Sequence, residues 1–212
     1  MSKTLFVDLE ERIMNSPRFN AFSLRAYWAK SSLRWWKPEG KEYREQERCV
    51  RAWLSQEHYK SVLEIGPGFG RITKIIKPRA SRLVLSEINK KAIAHLGKKF
   101  KGAEIEDGTF SELDFPDKTF DLIAAIEILP HIPNIITFVE KVSWLLKPGG
   151  TFIASITPLA WYEKNRIRNP IIHRGIAERE FEELCRDCGF DEYSSCKSVN
   201  GHLTTYLFKK DY

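Results

Sequence analysis

The sequence predicts an α/β fold in which a doubly wound, mostly parallel sheet of seven strands carries helices on both faces. Two observations predict this fold. Short apolar runs alternate with helical patterns between residues 61 and 156, which is typical of a parallel sheet. Farther along, two strand-like runs flank Asn200-Gly201, a pair that favours a tight hairpin turn. The sheet is therefore expected to finish in an antiparallel C-terminal hairpin.

Each predicted element is an apolar or amphipathic run bounded by turn residues. The strands are expected at residues 61–65, 82–86, 102–106, 120–126, 151–156, 190–198 and 202–209. The helices that follow the first strand are expected at residues 71–77, 89–100, 135–146 and 178–188. Before that strand, residues 41–59 are expected to form an amphipathic helix, because Tyr43, Val50 and Leu54 recur near helical spacing.

Charge and cysteine content restrict the function only weakly. The net charge of +6 indicates either an anionic partner or a well-solvated basic surface. Apolar runs are too short for a transmembrane segment, and the first residues include acids where a signal peptide needs an apolar stretch. The four cysteines are too few for a disulfide scaffold, so a cytoplasmic location is expected. Cys185 and Cys188 have a zinc-like spacing but no second pair, which favours ordinary core or surface cysteines.

The end of the first strand holds the most informative pattern, Glu64-x-Gly66-x-Gly68-x-Gly70. Glycines let the backbone turn tightly and let a ligand lie against it. The third glycine comes one position too early for a dinucleotide fingerprint, and Arg71 occupies the place of that glycine. No Gly-Lys-Ser/Thr follows, which excludes a P-loop. Glu64 is unsuited to a phosphate site but suits a ligand that carries a cation or an amine.

This pattern resembles motif I of the class I S-adenosylmethionine (SAM) dependent methyltransferases. The turn Lys147-Pro148-Gly149-Gly150 before the fifth strand and the antiparallel ending are also similar to that family. The resemblance covers residues 61–156. It implies a Rossmann-like fold, SAM as the cofactor and S-adenosylhomocysteine as its product.

The resemblance also implies a role for each expected cofactor contact. The glycine loop would approach the methionine portion, and Glu64 would hold its ammonium group. Glu87, at the end of the second strand, would accept hydrogen bonds from the ribose hydroxyls, as acids do in dinucleotide folds. Asp107, or Glu106 if the register is shifted by one, would contact the adenine amino group. The expected cofactor-binding residues are Glu64, Gly66, Pro67, Gly68, Gly70, Glu87, Ile88, Asp107, Gly108, Ile126 and Glu127.

His131 is the candidate catalytic residue, because it resembles a histidine found in many small-molecule methyltransferases. There it acts as a general base or orients the nucleophile, although a histidine satisfied by local backbone is an equal alternative. Pro130 stands where many relatives have an acid, so no metal site is expected. A sulfonium is already a strong electrophile, and the protein mainly has to align nucleophile, methyl and sulfur in line.

The acceptor is the least determined part of the prediction. A single domain is expected, with residues 1–60 as a helical cover, residues 61–212 as the core and a substrate loop inserted near 158–176. The side chains expected to wall an aromatic pocket, unless they belong to the core, are Tyr27, Trp28, Trp161 and Tyr162.

Three classes of function stay open for the acceptor. The first is transfer to an O, N or C nucleophile of a small molecule. The second is methylation of RNA (tRNA or rRNA) or of protein through a basic surface, although residues 126–129 lack the Asp/Asn-Pro-Pro-aromatic sequence of enzymes that methylate exocyclic base nitrogens. The third is a SAM-binding subunit without activity. The sequence leaves the oligomeric state undetermined.

Overall fold

A computed structural model describes residues 40–165 and 175–212 of the chain. Tyr27 and Trp28 lie outside these residues. The strands are β1 (Tyr59–Ile65), β2 (Ala80–Glu87), β3 (Glu104–Asp107), β4 (Phe120–Ala125), β5 (Leu146–Ile156), β6 (Phe190–Lys197) and β7 (Thr204–Lys210). The helices are α1 (Lys41–Trp53), α2 (Thr73–Ile76), α3 (Lys90–Lys99), α4 (Ile135–Leu145), α5 (Leu159–Lys164) and α6 (Glu178–Asp187).

The strands form one seven-stranded sheet in the order β3-β2-β1-β4-β5-β7-β6. Strands β1 to β5 are parallel to one another, whereas β7 runs antiparallel to both β5 and β6. The predicted fold is therefore confirmed: a Rossmann-like, doubly wound sheet that ends in an antiparallel hairpin. Because the parallel strands all point the same way, their carboxyl ends meet at one edge, where such sheets bind ligands.

Helices cover both faces of the sheet because its central strands are apolar on both sides. On one face, α4 and α6 contribute buried side chains such as Phe138, Val142 and Phe181. On the other face, α1, α2 and α3 contribute buried side chains that include Val50, Ile75 and Leu96. We call the second face the α1 face.

Two predicted boundaries move because of strand pairing. Helix α1 ends at Trp53 instead of residue 59, since Tyr59 begins β1 and is aligned with Ala80 of β2. Strand β5 begins at Leu146, so residues 147–150 form an irregular start of this strand instead of a turn that precedes it. Gly149 takes a φ of 70° there, in the left-handed region that glycine tolerates.

A disulfide joins Cys49 of α1 to Cys196 of β6 across 147 residues of sequence. The sequence reasoning anticipated no such pair. Cys185 is buried in the core, as expected for an ordinary core cysteine. Within residues 40–165 and 175–212, no helix is long and apolar enough to cross a membrane.

Candidate functional site

The glycine loop leaves the end of β1 in a conformation that requires glycine. Gly66 and Gly70 have φ values of 64° and 80°. A Cβ on Gly66 would lie 2.9 Å from Ile128 Cδ1, and one on Gly70 would overlap the Phe100 ring. The loop therefore packs closely against neighbouring side chains and offers its backbone to whatever lies at the edge of the sheet.

Replacement of Gly70 by alanine should destabilise the fold by about 2–4 kcal/mol, because it combines backbone strain with an overpacked core. Gly102→Ala is a matched control, since Gly102 has the same φ of 80° and open space around its Cβ position. The control should cost only about 1–2 kcal/mol. Urea unfolding of both variants measures the difference, and equal losses would mean that the overlap with Phe100 has no effect.

Glu87 is buried at the end of β2 and accepts backbone hydrogen bonds on both carboxylate oxygens. Gly68 N donates to Oε2 at 3.0 Å, and the amides of Ile88 and Asn89 donate to Oε1 at 2.7 and 2.9 Å. Burial raises the pKa of Glu87, and these three donors oppose that rise. A carboxylate oxygen can accept about two hydrogen bonds, so Oε1 is already satisfied and Oε2 can accept one more. Glu87 therefore fixes the glycine loop and can still bind a hydroxyl group.

Asp107 lies beside Glu87 across the sheet, because β2 and β3 align these two residues. Residues in register point to the same face, so Asp107 is on the α1 face with Glu87, and Glu106 is on the opposite face. Asp107 is exposed and pairs with Lys90. Ser86 Oγ donates to the carbonyl of Gly108 at 3.0 Å, which holds the chain after β3 close to β2.

Glu64 is a buried carboxylate with an unused oxygen. Its side chain is on the same face of β1 as Val62, which packs on the α1 face. Oε2 has no hydrogen-bond partner among the described residues. Burial raises the pKa of Glu64 to about 7, against the lowering effects of the hydroxyl and amide of Thr73 and of the nearby charge of Arg71. Because Oε2 itself has no partner among the described residues, it can accept a hydrogen bond from a ligand donor such as an amino group.

Glu127 follows β4 in a strained backbone conformation, with a φ of 60°. Its amide donates to Ser155 Oγ at 2.7 Å, and this hydroxyl donates to Glu127 Oε1 at 2.7 Å. Gln46 Nε2 of α1 donates to the same oxygen at 3.0 Å. Contacts from two other elements thus hold Glu127 in place, next to the buried Ile126.

Sequence reasoning missed a group that α1 brings to this site. Arg71 Nη2 donates to Gln46 Oε1, and Arg71 Nη1 donates to the carbonyl of Tyr43 at 3.4 Å. The guanidinium lies 5.4 Å from the centre of the Tyr43 ring and 3.8 Å from Glu47. No local pattern predicts these contacts, since a glutamine in a charged helix gives no sign of burial.

The remaining candidates lie in the segments that follow β4 and β5. His131 ends a short turn after β4, where its amide donates to the carbonyl of Ile128 at 2.9 Å, and its side chain is partly exposed. The Trp161 ring stacks on His202 at 4.2 Å, and His202 meets Tyr43 edge-on at 6.2 Å. These three rings form what we call the aromatic wall. Tyr162 instead packs against Gly175.

These features fit a ligand that carries an ammonium group, a ribose and an adenine. The unused Glu64 oxygen suits the ammonium, the second acceptor capacity of Glu87 suits the ribose, and the glycine loop leaves room between them. SAM has all three groups. A family model described as a methyltransferase domain matches residues 63–154.

Over these residues this chain is similar to the class I SAM-dependent methyltransferases. Its relatives include a probable SAM-dependent methyltransferase of Mycolicibacterium smegmatis, 27% identical over 134 residues that make up 62% of this chain and 52% of the relative. A ubiquinone biosynthesis O-methyltransferase of Bradyrhizobium diazoefficiens is 25% identical over 64% of this chain and 62% of its own. This chain spans about half the length of the mycobacterial relatives it matches.

A solved structure shares the fold of this chain. The N-methyltransferase NodS from Bradyrhizobium japonicum, in complex with S-adenosylhomocysteine, has a TM-score of 0.72 and is 18% identical. The similarity covers 92% of this chain and 100% of NodS. At this identity the similarity concerns the fold alone.

The family match leaves out the elements that cover the site. It includes the glycine loop, Glu64, Glu87, Asp107 and Glu127, but ends before α5 and begins after α1. The aromatic wall and Gln46 therefore lie outside the residues that the family model matches.

Proposed function

We propose that this protein transfers the methyl group of SAM to an O, N or C nucleophile of a small-molecule acceptor by in-line displacement. The observation that carries the proposal is the unused Oε2 of Glu64, buried beside a glycine loop that Glu87 fixes from the next strand. When bound, SAM supplies a methyl group activated by its sulfonium. The protein has to hold the cofactor and align the acceptor.

Each part of the cofactor would have its own contacts. Glu64 would accept a hydrogen bond from the ammonium group, and the backbone of the glycine loop would lie along the methionine portion. Glu87 would accept from the ribose hydroxyls, and Asp107 from the adenine amino group. The residues proposed to line the rest of the cofactor are Gly66, Pro67, Gly68, Gly70, Ile88, Gly108, Ile126 and Glu127.

The aromatic wall supports a small, partly apolar acceptor. It is formed by α1, α5 and the turn before β7, at the same edge of the sheet as the carboxyl ends of β4 and β5. Tyr43 is also close to Glu127, whose charge adds to the burial that raises the pKa of Tyr43 to about 12. Trp161, Tyr43 and His202 would therefore border the acceptor next to the loop after β4. Helix α1, which belongs to the predicted cover of residues 1–60, contributes Tyr43 to this wall.

Two similar proteins are named for different acceptor atoms, an O-methyltransferase and an N-methyltransferase. The name of the first, a ubiquinone biosynthesis enzyme, supports the small-molecule class, and neither name decides the acceptor atom. Incubation of cell extract with methyl-labelled SAM tests the class, because the label should appear in the small-molecule fraction. Label in RNA or in protein would instead favour methylation of RNA or protein through a basic surface.

Cofactor binding is tested separately, by thermal unfolding with SAM or S-adenosylhomocysteine. Ligand at about 100 times its Kd should stabilise the folded protein by about 2.7 kcal/mol. An unchanged Tm at millimolar ligand would contradict the proposal before any acceptor is sought.

His131 is proposed as the general base, or as the residue that orients the nucleophile. Its position in the loop after β4 supports this role, since neutral imidazole can take a proton near pH 7. His131→Ala should lower kcat about 100-fold without changing the Kd for SAM. His58→Ala is the control, because His58 is exposed and hydrogen-bonds to Ser81 near the opposite edge of the sheet. Equal kcat values for the two variants would show that His131 takes no part in the reaction.

A further inference from the structure

Gln46 is a buried polar residue that links two separate parts of the proposed cofactor site. It lies on α1 and is only 2% exposed. Its Nε2 donates to Glu127 Oε1 and to Thr205 Oγ1, each at 3.0 Å, and its Oε1 accepts from Arg71 Nη2. Every polar atom of the side chain is therefore used, by partners that are 25, 81 and 159 residues away in the sequence.

We propose that Gln46 is a positioning residue, whose amide holds Arg71 and Glu127 in the arrangement that receives the methionine end of SAM. The inference rests on the proposed function, because it takes SAM to be the ligand of this site. Arg71 follows the glycine loop and Glu127 follows β4, so both flank the space next to Glu64.

Only an amide satisfies both partners at once. Its oxygen accepts from the guanidinium while its nitrogen donates to the carboxylate. Lysine at this position would offer donors alone, and glutamate would offer acceptors alone. Burial lowers the pKa of Arg71 and the nearby charge of Glu127 opposes that fall, so the two groups attract each other in a partly buried setting. We infer that the amide bridges these two charges while it keeps them apart.

The helix that carries Gln46 is anchored firmly enough for such a role. Val50 and Leu54 at its end are fully buried in the core of the α1 face. Glu47 pairs with Lys74 of α2 at 2.8 Å, and Cys49 is bonded to Cys196. The amide therefore has a defined position relative to both strands of the site.

The test measures equilibrium SAM binding by calorimetry in wild-type protein and in five variants. Gln46→Leu and Gln46→Glu should each weaken binding of SAM by roughly tenfold or more, the first by removing one hydrogen bond from each of two charged groups and the second by adding a carboxylate beside Glu127. Val50→Ala is the control for α1, because it removes core packing and no hydrogen bond. It should lower the Tm and leave the Kd for SAM unchanged.

The variant that decides the matter is the exchange Gln46→Glu with Glu127→Gln. This exchange restores one amide and one carboxylate beside Arg71. The Kd for SAM of the double variant should therefore lie within about threefold of the Kd of Glu127→Gln alone. A purely structural role for Gln46 predicts no recovery, and that result would overturn the proposal. Wild-type affinity in Gln46→Glu would overturn it too. Failure of wild-type protein to bind SAM would contradict the proposed function instead, and this outcome is separate because it is seen without any variant.

Discussion

Glu64→Gln is expected to stabilise the ligand-free protein at pH 8 and to weaken its binding of SAM. The opposite signs have one cause, the burial that raises the pKa of Glu64 from 4.5 to about 7. Between these two pH values the folded chain holds a proton that the unfolded chain has lost. The stability of wild-type protein should therefore fall by about 3 kcal/mol as the pH rises through this window, and stay level above it.

Cofactor binding should follow the opposite trend. The carboxylate form of Glu64 attracts an ammonium group, so the affinity of wild-type protein for SAM should rise between pH 6 and pH 8. Glutamine keeps the shape of the side chain but cannot ionise. We expect Glu64→Gln to bind SAM about 10–100 times more weakly at pH 8, since a hydrogen bond between two charged groups is lost.

Urea unfolding and calorimetry at pH 6, 7 and 8 measure both trends. The slope of stability against pH should flatten in the variant, and so should the slope of SAM affinity. Asp121→Asn is a suitable control, because Asp121 pairs with Lys147 away from the proposed ligand. If the variant and wild-type protein bind SAM equally at pH 8, Glu64 does not contact the ammonium.

Loss of the disulfide should produce the second large effect. Cys49→Ser opens a loop of 147 residues, and the chain-entropy account then predicts a loss of about 3–5 kcal/mol. For a chain of this length, the Tm should fall by roughly 6–20 °C. Binding of SAM should weaken as well, because α1 carries Gln46 and Tyr43 to the site.

Thermal unfolding with and without dithiothreitol checks this prediction. Reduced wild-type protein should match Cys49→Ser, and Cys196→Ser should behave in the same way. Cys188→Ser serves as the control, since Cys188 does not belong to the disulfide. A wild-type Tm that is indifferent to reductant would show that the bond adds no stability.

The features predicted correctly from sequence depend on local patterns. Three such patterns identified the fold and placed Glu64 and Glu87 at one edge of the sheet. They are the glycine spacing, the alternation of strands and helices, and the Asn200-Gly201 turn. The start of β1 was missed because it depends on pairing between Tyr59 and Ala80. The choice of Asp107 over Glu106 likewise depends on strand register.

The features that were not predicted join distant parts of the chain. The disulfide and the contacts of Gln46 with Glu127 and Thr205 each connect residues more than 80 positions apart. A single sequence gives no sign of such pairs, because which distant residues meet depends on the tertiary structure and not on a local pattern. The sequence predicted the covering helix, but the contacts of this helix depend on the tertiary structure.

The position of β7 has a consequence for how the protein is made. This strand follows β6 along the chain but lies inside the sheet, between β5 and β6. While a ribosome is still adding residues 204–210, β5 presents an open edge whose side chains include Phe152 and Ile153, and open apolar edges invite pairing with other chains. Thr205, a partner of Gln46, arrives on this late strand. When β7 pairs with β5, it therefore covers the open edge of β5 and brings Thr205 to Gln46 in the same step.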